Sequence, residues 1–432
     1  MEEGQSKVID VRMLRKGMFI QLDLGWMDHP FPLSSFKVTT DEQMQTILAL
    51  GLQTIRYFPD RSDIEPDAGD GPERTTAAGQ ASEADTADTP SAAPLDPAQR
   101  RARDNAQHAR TILHCERRFA EASRRFRKVT DNVLQFPTQA RDEAADMVAG
   151  CVEELLADGE SVISLLSESV GERSAQHPIN VMVLCLLLGR ALGLDRDPLM
   201  ALGSAALLHD IGKLELPLRY RMVDESFSTS EYRIYQDHVA RGVALARRMG
   251  LSAEAVAAIA QHHEMLDGSG FPSKLQGLQI HTCGKILALV NRYDNFCNPP
   301  RSALALTPHE ALSVIFAQMK PRFDPTVLGA FIRMMGVYPP VSVEQLGNDR
   351  YAMVVSVNSS RPLRPRVMVH DPAVPRAEAG VLDLETAPEL GIRRSLKPAQ
   401  LPRASLDYLS PRSRICYFFE RAVEPKPAGA AP

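Results

Sequence analysis

The most informative segment of the chain is His262-His263-Glu264-Met265-Leu266-Asp267-Gly268-Ser269-Gly270-Phe271-Pro272. It begins with side chains that bind metals, and its two glycines and proline predict a tight loop with exposed backbone N–H groups, a good place for a phosphate or a base. An Asp-Gly-Ser-Gly loop alone is a weak signal, since ordinary turns use the same residues. Directly after His-His-Glu, it becomes specific.

More side chains of the same type lie upstream, at His177, His209-Asp210 and His238. A lone histidine is usually a core or surface residue, but this cluster is harder to dismiss. Imidazoles with a carboxylate suit Fe, Mn, Zn or Ni, and an aspartate next to a histidine can span two metals. Two metals about 3.5–4 Å apart can hold the attacking and leaving oxygens of a phosphate ester.

Lys213 follows His209 by four residues, a spacing that predicts both side chains on one helical face. Its ammonium group could meet a phosphate oxygen. The alternative is a cation that favours the C-terminal end of a helix dipole.

These residues lie in a helical block that we place at 138–342 in a chain of 432 residues. Residues 1–59 predict a small α+β domain, and residues 60–98 contain no aromatic side chain and predict a flexible linker. Residues 343–424 predict a β-rich segment and 425–432 a disordered tail. The predicted elements are strands at Val8–Val11, Met18–Asp23, Phe36–Val38, Tyr351–Val357, Arg366–His370 and Ile415–Phe419, and a helix at Asp41–Leu50 with Thr40 as its N-cap.

A connecting helix at 99–137 carries an apolar seam. Its members repeat every seven residues in two series: Ile112, Phe119, Phe126 and Val133, and Cys115, Ala122, Val129 and Phe136. The seam either docks on the following helices or pairs with a second copy, and we predict a homodimer through 112–136. Ten Lys and Arg against three acids at 100–128 are interpreted as a solvated face, and Pro137 is expected to end the helix.

Composition excludes several classes. The net charge of −5 argues against a general binder of nucleic acid polymers. Apolar stretches are well short of the ~20 residues that span a membrane. The first residues lack the pattern of a secretory signal. Six scattered cysteines without a C-x-x-C pair indicate a reducing, cytoplasmic location.

The chain resembles the HD-GYP family over about 170–342, through His209–Lys213, His238, His262–Pro272, Lys285–Asp294, Phe323–Pro325 and Gly336–Pro340. Leu14–Met18 and Gly25–Phe31 resemble a small domain of unknown role that often precedes HD-GYP in bacteria. The resemblance implies a mainly α HD-type fold. It also implies a metal-dependent phosphodiesterase that opens cyclic di-GMP to pGpG, with GMP as a further product that the family allows.

Site residues carry over by position. The implied metal-binding residues are His177, His209, Asp210, His238, His262, His263 and, at the last ligand position, Asn291. The resemblance implies that Asp210 bridges two divalent ions, Fe or Mn in preference to Zn because no thiolate takes part, and that Lys213 stabilises charge on the phosphate. Substrate contacts are implied for Asp267, Gly268, Ser269, Gly270, Phe271, Pro272 and Arg301.

Four positions depart from the family pattern. Asn291 replaces an aspartate ligand and should weaken one metal site, although Asp294 lies on nearly the same helical face and could compensate. Arg173 replaces a glutamate that binds a third metal in some members. The segment around Arg301 reads Pro-Arg-Ser-Ala in place of Arg-Pro-Tyr-Arg. Phe271 replaces the signature tyrosine and loses a hydroxyl donor.

Three functions stay open at this point. The first is an active cyclic di-GMP phosphodiesterase, favoured by the retained histidines. The second is a catalytically impaired module that binds cyclic di-GMP or signalling partner proteins, favoured by Asn291. The third is another HD-type phosphohydrolase acting on nucleotides, against which the loop at 267–272 argues. Glu264 is either support for a histidine ligand or a plain surface residue.

Overall fold

The structure is a computed structural model. It describes residues 6–22, 35–49, 52, 54–63, 97–156, 161–165, 173–224, 226–301, 304–358, 364–376, 379–387, 389–411 and 415–421. Residues 64–96 of the linker predicted at 60–98, the predicted tail and the segment Gly25–Phe31 lie outside this part of the chain. The two ends of the predicted linker are structured, since a 3-10 turn spans Pro59–Arg61 and a helix begins at Pro97. The chain divides into two compact units, Met1–Arg100 and Arg101–Pro432.

The first unit contains a four-stranded antiparallel sheet and one helix. Its elements are β1 (Lys7–Asp10), β2 (Phe19–Gln21), β3 (Ser35–Lys37), α1 (Asp41–Ala49) and β4 (Thr54–Phe58). The strand order is β1-β4-β2-β3, so β4, which was not predicted from the sequence, is one of the two central strands. The predicted N-cap is confirmed, since Thr40 Oγ1 accepts a hydrogen bond from Gln43 N at 3.2 Å. The core of this unit centres on Met18, Ile20 and Tyr57.

The second unit is mainly α-helical, as the sequence analysis predicts. Its long helices are α2 (Pro97–Asn132), α3 (Pro137–Leu156), α4 (Arg173–Ala191), α5 (Arg196–Leu208), α6 (Thr229–Gln236), α7 (His238–Met249), α8 (Ala253–Gln261), α9 (Thr282–Cys297), α10 (Pro308–Met319) and α11 (Pro325–Met335). Helix α2 ends at Asn132, and Pro137 is the first residue of α3, where its missing N–H costs nothing. No helix within the described residues has the length and apolar character needed to span a membrane.

The apolar seam of α2 is buried within the chain. Cys115, Phe119, Val129 and Val133 are fully buried in the same core as the helices that follow, whereas Phe136 is exposed. The side chain of Ile112 is outside the described set. Because the seam packs inside one chain, the structure supports the first of the two alternatives, and the homodimer prediction loses this seam as its interface.

A sheet completes the second unit. Its strands are β5 (Ser161–Leu165), β6 (Val343–Leu346), β7 (Tyr351–Asn358), β8 (Arg366–Val369), β9 (Val381–Asp383), β10 (Ile392–Leu396) and β11 (Tyr417–Arg421), and a short helix α12 (Arg403–Leu409) precedes β11. Strands β7 and β8, which lie at the predicted strands Tyr351–Val357 and Arg366–His370, pair antiparallel. The sequence analysis missed β5, which lies between α3 and α4 and pairs with both β7 and β11. The C-terminal strands therefore share one sheet with a strand of the helical region.

Candidate metal centre

The His209-Asp210 pair lies where helix α5 ends. His209 is the C-cap of α5, and a tight 3-10 turn at Ile211–Glu215 follows Asp210. Lys213 therefore reaches the site from this turn and not from a continued helix, so the prediction that it shares a helical face with His209 is wrong. The turn instead brings Lys213 Nζ to 2.6 Å from Asp210 Oδ2.

Gly212 makes this turn possible because it packs against the start of α7. A Cβ atom at this position would lie 2.1 Å from His238 O and 2.3 Å from Gly242 N, both backbone atoms. Real Cβ atoms cannot approach backbone this closely. The close approach fixes the spacing between Asp210 and His238, two of the predicted metal-binding residues.

Substitution Gly212→Ala is therefore expected to destabilise the protein by ~2–3 kcal/mol, since overpacking against backbone cannot be relieved by a side-chain rotation. Gly150→Ala, on the exposed face of α3, is the matched control, since no neighbouring atom of the described residues lies within 4 Å of the added methyl group. This control is expected to gain about 0.5–1 kcal/mol from helix propensity. Urea unfolding measures both changes, and equal stability of the two variants would contradict the packing argument.

Three of the histidines are oriented in the same way. The Nδ1 atoms of His209, His238 and His262 lie 2.8, 2.5 and 2.6 Å from the carbonyl oxygens of residues three positions earlier, Ala206, Tyr235 and Ile259. A carbonyl accepts only, so each Nδ1 carries the proton. In the neutral ring the lone pair is then on Nε2, the atom that faces the other histidines.

Asp210 lies between two groups of imidazoles. Its Oδ1 atom is 3.5 Å from His238 Nε2 and 3.9 Å from His262 Nε2. Its Oδ2 atom is 3.4 Å from His209 Nε2 and 3.7 Å from His177 Nε2. The ligand atoms form two sets, Asp210 with His238, His262 and His263, and Asp210 with His177 and His209.

The donor atoms fit two divalent cations. Nε2 of His177 lies 3.1 Å from Nε2 of His209, and Nε2 of His238 lies 3.3 Å from Nε2 of His262, so lone pairs meet in the absence of a cation. Asp210 Oδ1 and His263 Nε2 are buried and have no hydrogen-bond partner within the described residues. A buried unpaired polar atom costs about 1–3 kcal/mol. Imidazoles with one shared carboxylate are a common donor set for first-row divalent metals.

Electrostatics keep these groups in their ligand forms. Burial lowers the pKa of His238 to about 4. Burial and neighbouring imidazoles hold the pKa values of His262 and His263 well below the usual range. Burial opposes ionisation of Asp210, yet the Lys213 ammonium group and His209 hold its pKa well below the usual range. At neutral pH the three rings are neutral and Asp210 is an anion, as metal binding requires.

The stability of the metal-free protein should consequently fall in acid. Unfolded histidine takes up a proton near pH 6.5, whereas folded His238 does so only near pH 4, so the unfolded state binds more protons between these values. Stability is complete above about pH 6.5 and is expected to drop by ~3 kcal/mol from His238 alone as the pH falls to about 4. Urea unfolding of chelator-treated protein at several pH values measures this, with His238→Gln expected to reduce the slope. A flat profile in the wild type would contradict it.

The loop after His263 is stabilised by hydrogen bonds to the buried side chain of Glu264. Glu264 is buried, and its carboxylate accepts hydrogen bonds from Ser273 N at 2.6 Å and Leu275 N at 2.9 Å. It is therefore neither of the alternatives that the sequence left open. At Gly270 a Cβ atom would lie 2.5 Å from Glu264 Cα, so this position needs glycine. The loop's shape thus depends on Glu264.

The predicted phosphate cradle of free amides in this loop is wrong in part. Gly268 N donates to Met265 O at 2.9 Å, Ser269 N to Asp267 Oδ1 at 2.9 Å, and Phe271 N to His263 O at 3.2 Å. These three N–H groups are used within the loop. The contact of the loop with a histidine ring is instead aromatic, because the Phe271 ring stacks on His263 with centroids 4.4 Å apart.

Two further predicted positions have hydrogen-bond or ion-pair partners outside the histidine cluster. Asn291 is buried on α9, and its Oδ1 atom accepts a hydrogen bond from Asn295 Nδ2 at 2.7 Å. Arg301 is exposed and pairs with Asp224 at 2.6 Å. Asp294 also differs from expectation. It does not replace the missing ligand but lies 2.6 Å from His177 Nδ1, where it orients that ring.

Sequence reasoning missed several residues around the site. Asn180 and Asn298 contact Asp294 through hydrogen bonds, and Tyr235 contacts Lys213, whose Nζ lies 5.4 Å from its ring centroid. Arg292, next to Asn291, is half-buried and forms no ion pair or hydrogen bond with any described residue. Burial lowers the pKa of Arg292, and the nearby Arg322 charge adds to this. The i, i+3 spacing of Asn180 from His177 was the one available signal.

Comparison with known proteins assigns two regions. The profile of a family described as HD domain matches residues 151–327. That of a domain of unknown function, DUF3391, matches residues 6–144.

Individual relatives are consistent with these matches. The chain is 28% identical over 374 residues to the cyclic di-GMP phosphodiesterase PA4108 of Pseudomonas aeruginosa, covering 84% of each protein. It is 28% identical over 200 residues to the 3'3'-cGAMP-specific phosphodiesterase 1 of Vibrio cholerae, covering 45% of each, so it spans less than half of that relative. Among solved structures, the HDG"Y"P protein Bd1817 of Bdellovibrio bacteriovorus aligns over 76% of this chain and 98% of its own, with 13% identity and a TM-score of 0.41.

Proposed function

We propose that this chain, which belongs to the HD-domain family in its HD-GYP form, is a metal-dependent phosphodiesterase that hydrolyses cyclic di-GMP to pGpG. The observation that carries the proposal is the position of Asp210, whose two oxygens face two separate groups of imidazoles. Asp210 would belong to the ligand sets of both metals, and two adjacent metals would supply the Lewis-acid chemistry that hydrolysis of a phosphate ester needs. The 28% identity to a cyclic di-GMP phosphodiesterase over 84% of the chain supports the substrate.

His177 and His209 would hold one metal, and His238, His262 and His263 the other, with Asp210 common to both. When bound, the metals supply Lewis-acid stabilisation of the phosphate ester. The chain's own contribution is to keep the rings neutral through burial and to fix them through their Nδ1 hydrogen bonds. Fe or Mn is proposed in preference to Zn, since the donor set contains no thiolate.

Lys213 is positioned to neutralise a phosphate oxygen. Burial opposes its charge, but Asp210 at 2.6 Å raises the pKa of the Lys213 ammonium group, so it stays cationic at neutral pH. A cation fixed beside the shared carboxylate can stabilise the negative charge that grows during attack on phosphorus. The Tyr235 ring limits the directions that its side chain can take.

Arg292 is proposed to bind a phosphate of the substrate. A half-buried guanidinium without an ion pair is costly unless an anion meets it. Among the described residues, Arg292 lies over the Phe296 ring, with Cζ 5.8 Å from the centroid. Arg292→Ala is expected to raise KM for cyclic di-GMP ~10-fold, the value of one charged hydrogen bond, with kcat nearly unchanged. Arg247→Ala, an exposed arginine on α7, is the control. Equal KM values in the two variants would remove Arg292 from the site.

One observation favours the alternative of an impaired module that binds cyclic di-GMP or signalling partner proteins. Asn291 offers a neutral oxygen at the last ligand position, and that oxygen is already engaged by Asn295. A neutral amide binds a divalent metal less well than a carboxylate. The module would retain the loop at 267–272 and Arg292 but turn over slowly.

Product analysis separates the two functions. The protein is freed of metal, reloaded with Fe²⁺ or Mn²⁺ without oxygen, and incubated with cyclic di-GMP and, separately, with 3'3'-cGAMP. We expect pGpG to form from cyclic di-GMP, and we expect this reaction to stop when a chelator is added. Calorimetric binding of cyclic di-GMP without any product, in protein that holds two metals, would establish the binding module instead.

Two other predictions remain proposals. A cytoplasmic location is supported by the sequence, in which the six cysteines are scattered and form no C-x-x-C pair. A homodimer, if formed, must use a surface other than the buried seam of α2.

A further inference from the structure

We propose that the C-terminal strand β11 and the two residues before it are a built-in part of the metal centre, because they position His177 through Asn180, Asn298 and Asp294. This inference rests on the proposed function, because positioning His177 matters only if that ring binds a metal. The hydrogen bonds that support it are all between groups of the protein.

The first link joins His177 to a buried carboxylate. Asp294 is fully buried, and its Oδ2 atom accepts a hydrogen bond from His177 Nδ1 at 2.6 Å. His209, His238 and His262 donate instead to a carbonyl three residues earlier in their own chain segment. Unlike these three rings, His177 is oriented by a residue that is distant in sequence.

The second link holds Asp294. Its Oδ1 atom accepts from Asn180 Nδ2 at 3.0 Å and from Asn298 Nδ2 at 2.9 Å. A carboxylate in a buried position needs hydrogen-bond donors to replace the water that it loses. The two amides supply them, one from α4 and one from the residue that follows α9.

The third link ties both amides to the C-terminal segment. Ile415 O accepts from Asn180 Nδ2 at 2.7 Å and from Asn298 Nδ2 at 3.0 Å. In return, Ile415 N donates to Asn298 Oδ1 at 2.8 Å, and Tyr417 N donates to Asn180 Oδ1 at 2.9 Å. Every hydrogen-bonding group of the two amides is thus used between Asp294 and the backbone at 415–417.

The sheet then anchors this segment. Strand β11 pairs with β5 over five residues, from Tyr417 opposite Leu165 to Arg421 opposite Ser161. Strand β5 lies just before α4, the helix that carries His177 and Asn180. The segment that closes the network is separated from His177 by more than two hundred residues of sequence, yet both ends of the network return to the same region of the fold.

The test follows the His177 ring directly and does not depend on catalysis. Full-length protein with ¹⁵N-labelled histidine is prepared without metal as wild type, Asn298→Ala and Asn180→Ala. Tyr417→Phe, a substitution in β11, is the control. It removes the 3.0 Å contact between the Tyr417 and Tyr293 hydroxyls but leaves the Tyr417 N–H, which binds Asn180, in place. Circular dichroism confirms folding, and Asn298, which is only partly buried, is the safer of the two sites.

Both asparagine variants are expected to shift the His177 ring signals and leave those of His238 and His262 in place. Titration with Mn²⁺ is expected to show about 10-fold weaker binding at one of two sites, the usual effect of losing a group that supports a ligand. Tyr417→Phe should match the wild type in both measurements. Unchanged His177 signals in a folded Asn298→Ala protein would overturn the inference. If the wild type binds no Mn²⁺ while the asparagine variants still show the His177 ring shifts, the proposed function is contradicted and this inference stands.

Discussion

Replacing Asp210 with asparagine is expected to reduce the rate of cyclic di-GMP hydrolysis by ~1000-fold, because the loss of Lewis-acid stabilisation from a metal is worth several kcal/mol and each 1.36 kcal/mol is a factor of about ten. The side chain keeps its shape but loses its charge. One of its two polar atoms becomes an N–H donor that faces either Lys213 Nζ or the lone pairs of His238 and His262. Neither metal can then share this group.

The measurement pairs kcat with metal content per chain determined by mass spectrometry. Both are expected to fall together, with metal content dropping from about two ions to one or fewer. Asp197→Asn is the control, since Asp197 is an exposed residue near the start of α5, the helix that leads to Asp210. Full metal content with full activity in the Asp210 variant would show that the carboxylate does not join the two sites.

Replacing Asn291 with aspartate is expected to act in the opposite direction. The new carboxylate would add a negative charge at the family's last ligand position, on a side chain that is 3% exposed. Opposite unit charges ~4 Å apart attract by ~4 kcal/mol even at an effective dielectric constant of about 20, and part of this is lost to desolvation. We therefore expect affinity for one metal to rise ~100-fold, together with kcat at limiting metal.

The hydrogen bond from Asn295 Nδ2 is retained, because a carboxylate also accepts. Asn348→Asp makes the same change of charge in an exposed turn, where it keeps its contact with Arg350 N and should alter nothing. Calorimetry then gives the metal dissociation constants of the wild type, Asn291→Asp and Asn348→Asp for comparison. Equal constants for wild type and Asn291→Asp would mean that position 291 does not reach the metal.

The metal-binding residues can be predicted from the sequence, whereas the long-range contacts that position them cannot. The histidines and the aspartate are recognised in the sequence by residue type and spacing. The structure brings them together in two groups that share Asp210: His177 and His209 in one, and His238, His262 and His263 in the other. The 3-10 turn that carries Lys213 was not visible, since it depends on Gly212 packing against a helix that begins 26 residues later. Local patterns do not report such long-range contacts.

The support of His177 shows the same limit more strongly. In the sequence, Asn180 and Asn298 are ordinary polar residues in or next to predicted helices. Their role in holding Asp294 becomes visible only in the structure, where both donate a hydrogen bond to Ile415 O. Strand β5 was missed because five residues between two helices give little periodicity, and its partners lie near the other end of the chain. For the same reason the predicted C-terminal segment looked independent of the helices.

The most direct test of the account is single-turnover hydrolysis of cyclic di-GMP by wild-type protein, with the metal content of the same sample determined and metal added stepwise without oxygen. The account predicts that pGpG appears in step with the second metal ion per chain and is absent in Asp210→Asn. Wild-type protein that holds two metal ions, binds cyclic di-GMP and still forms no pGpG would contradict it.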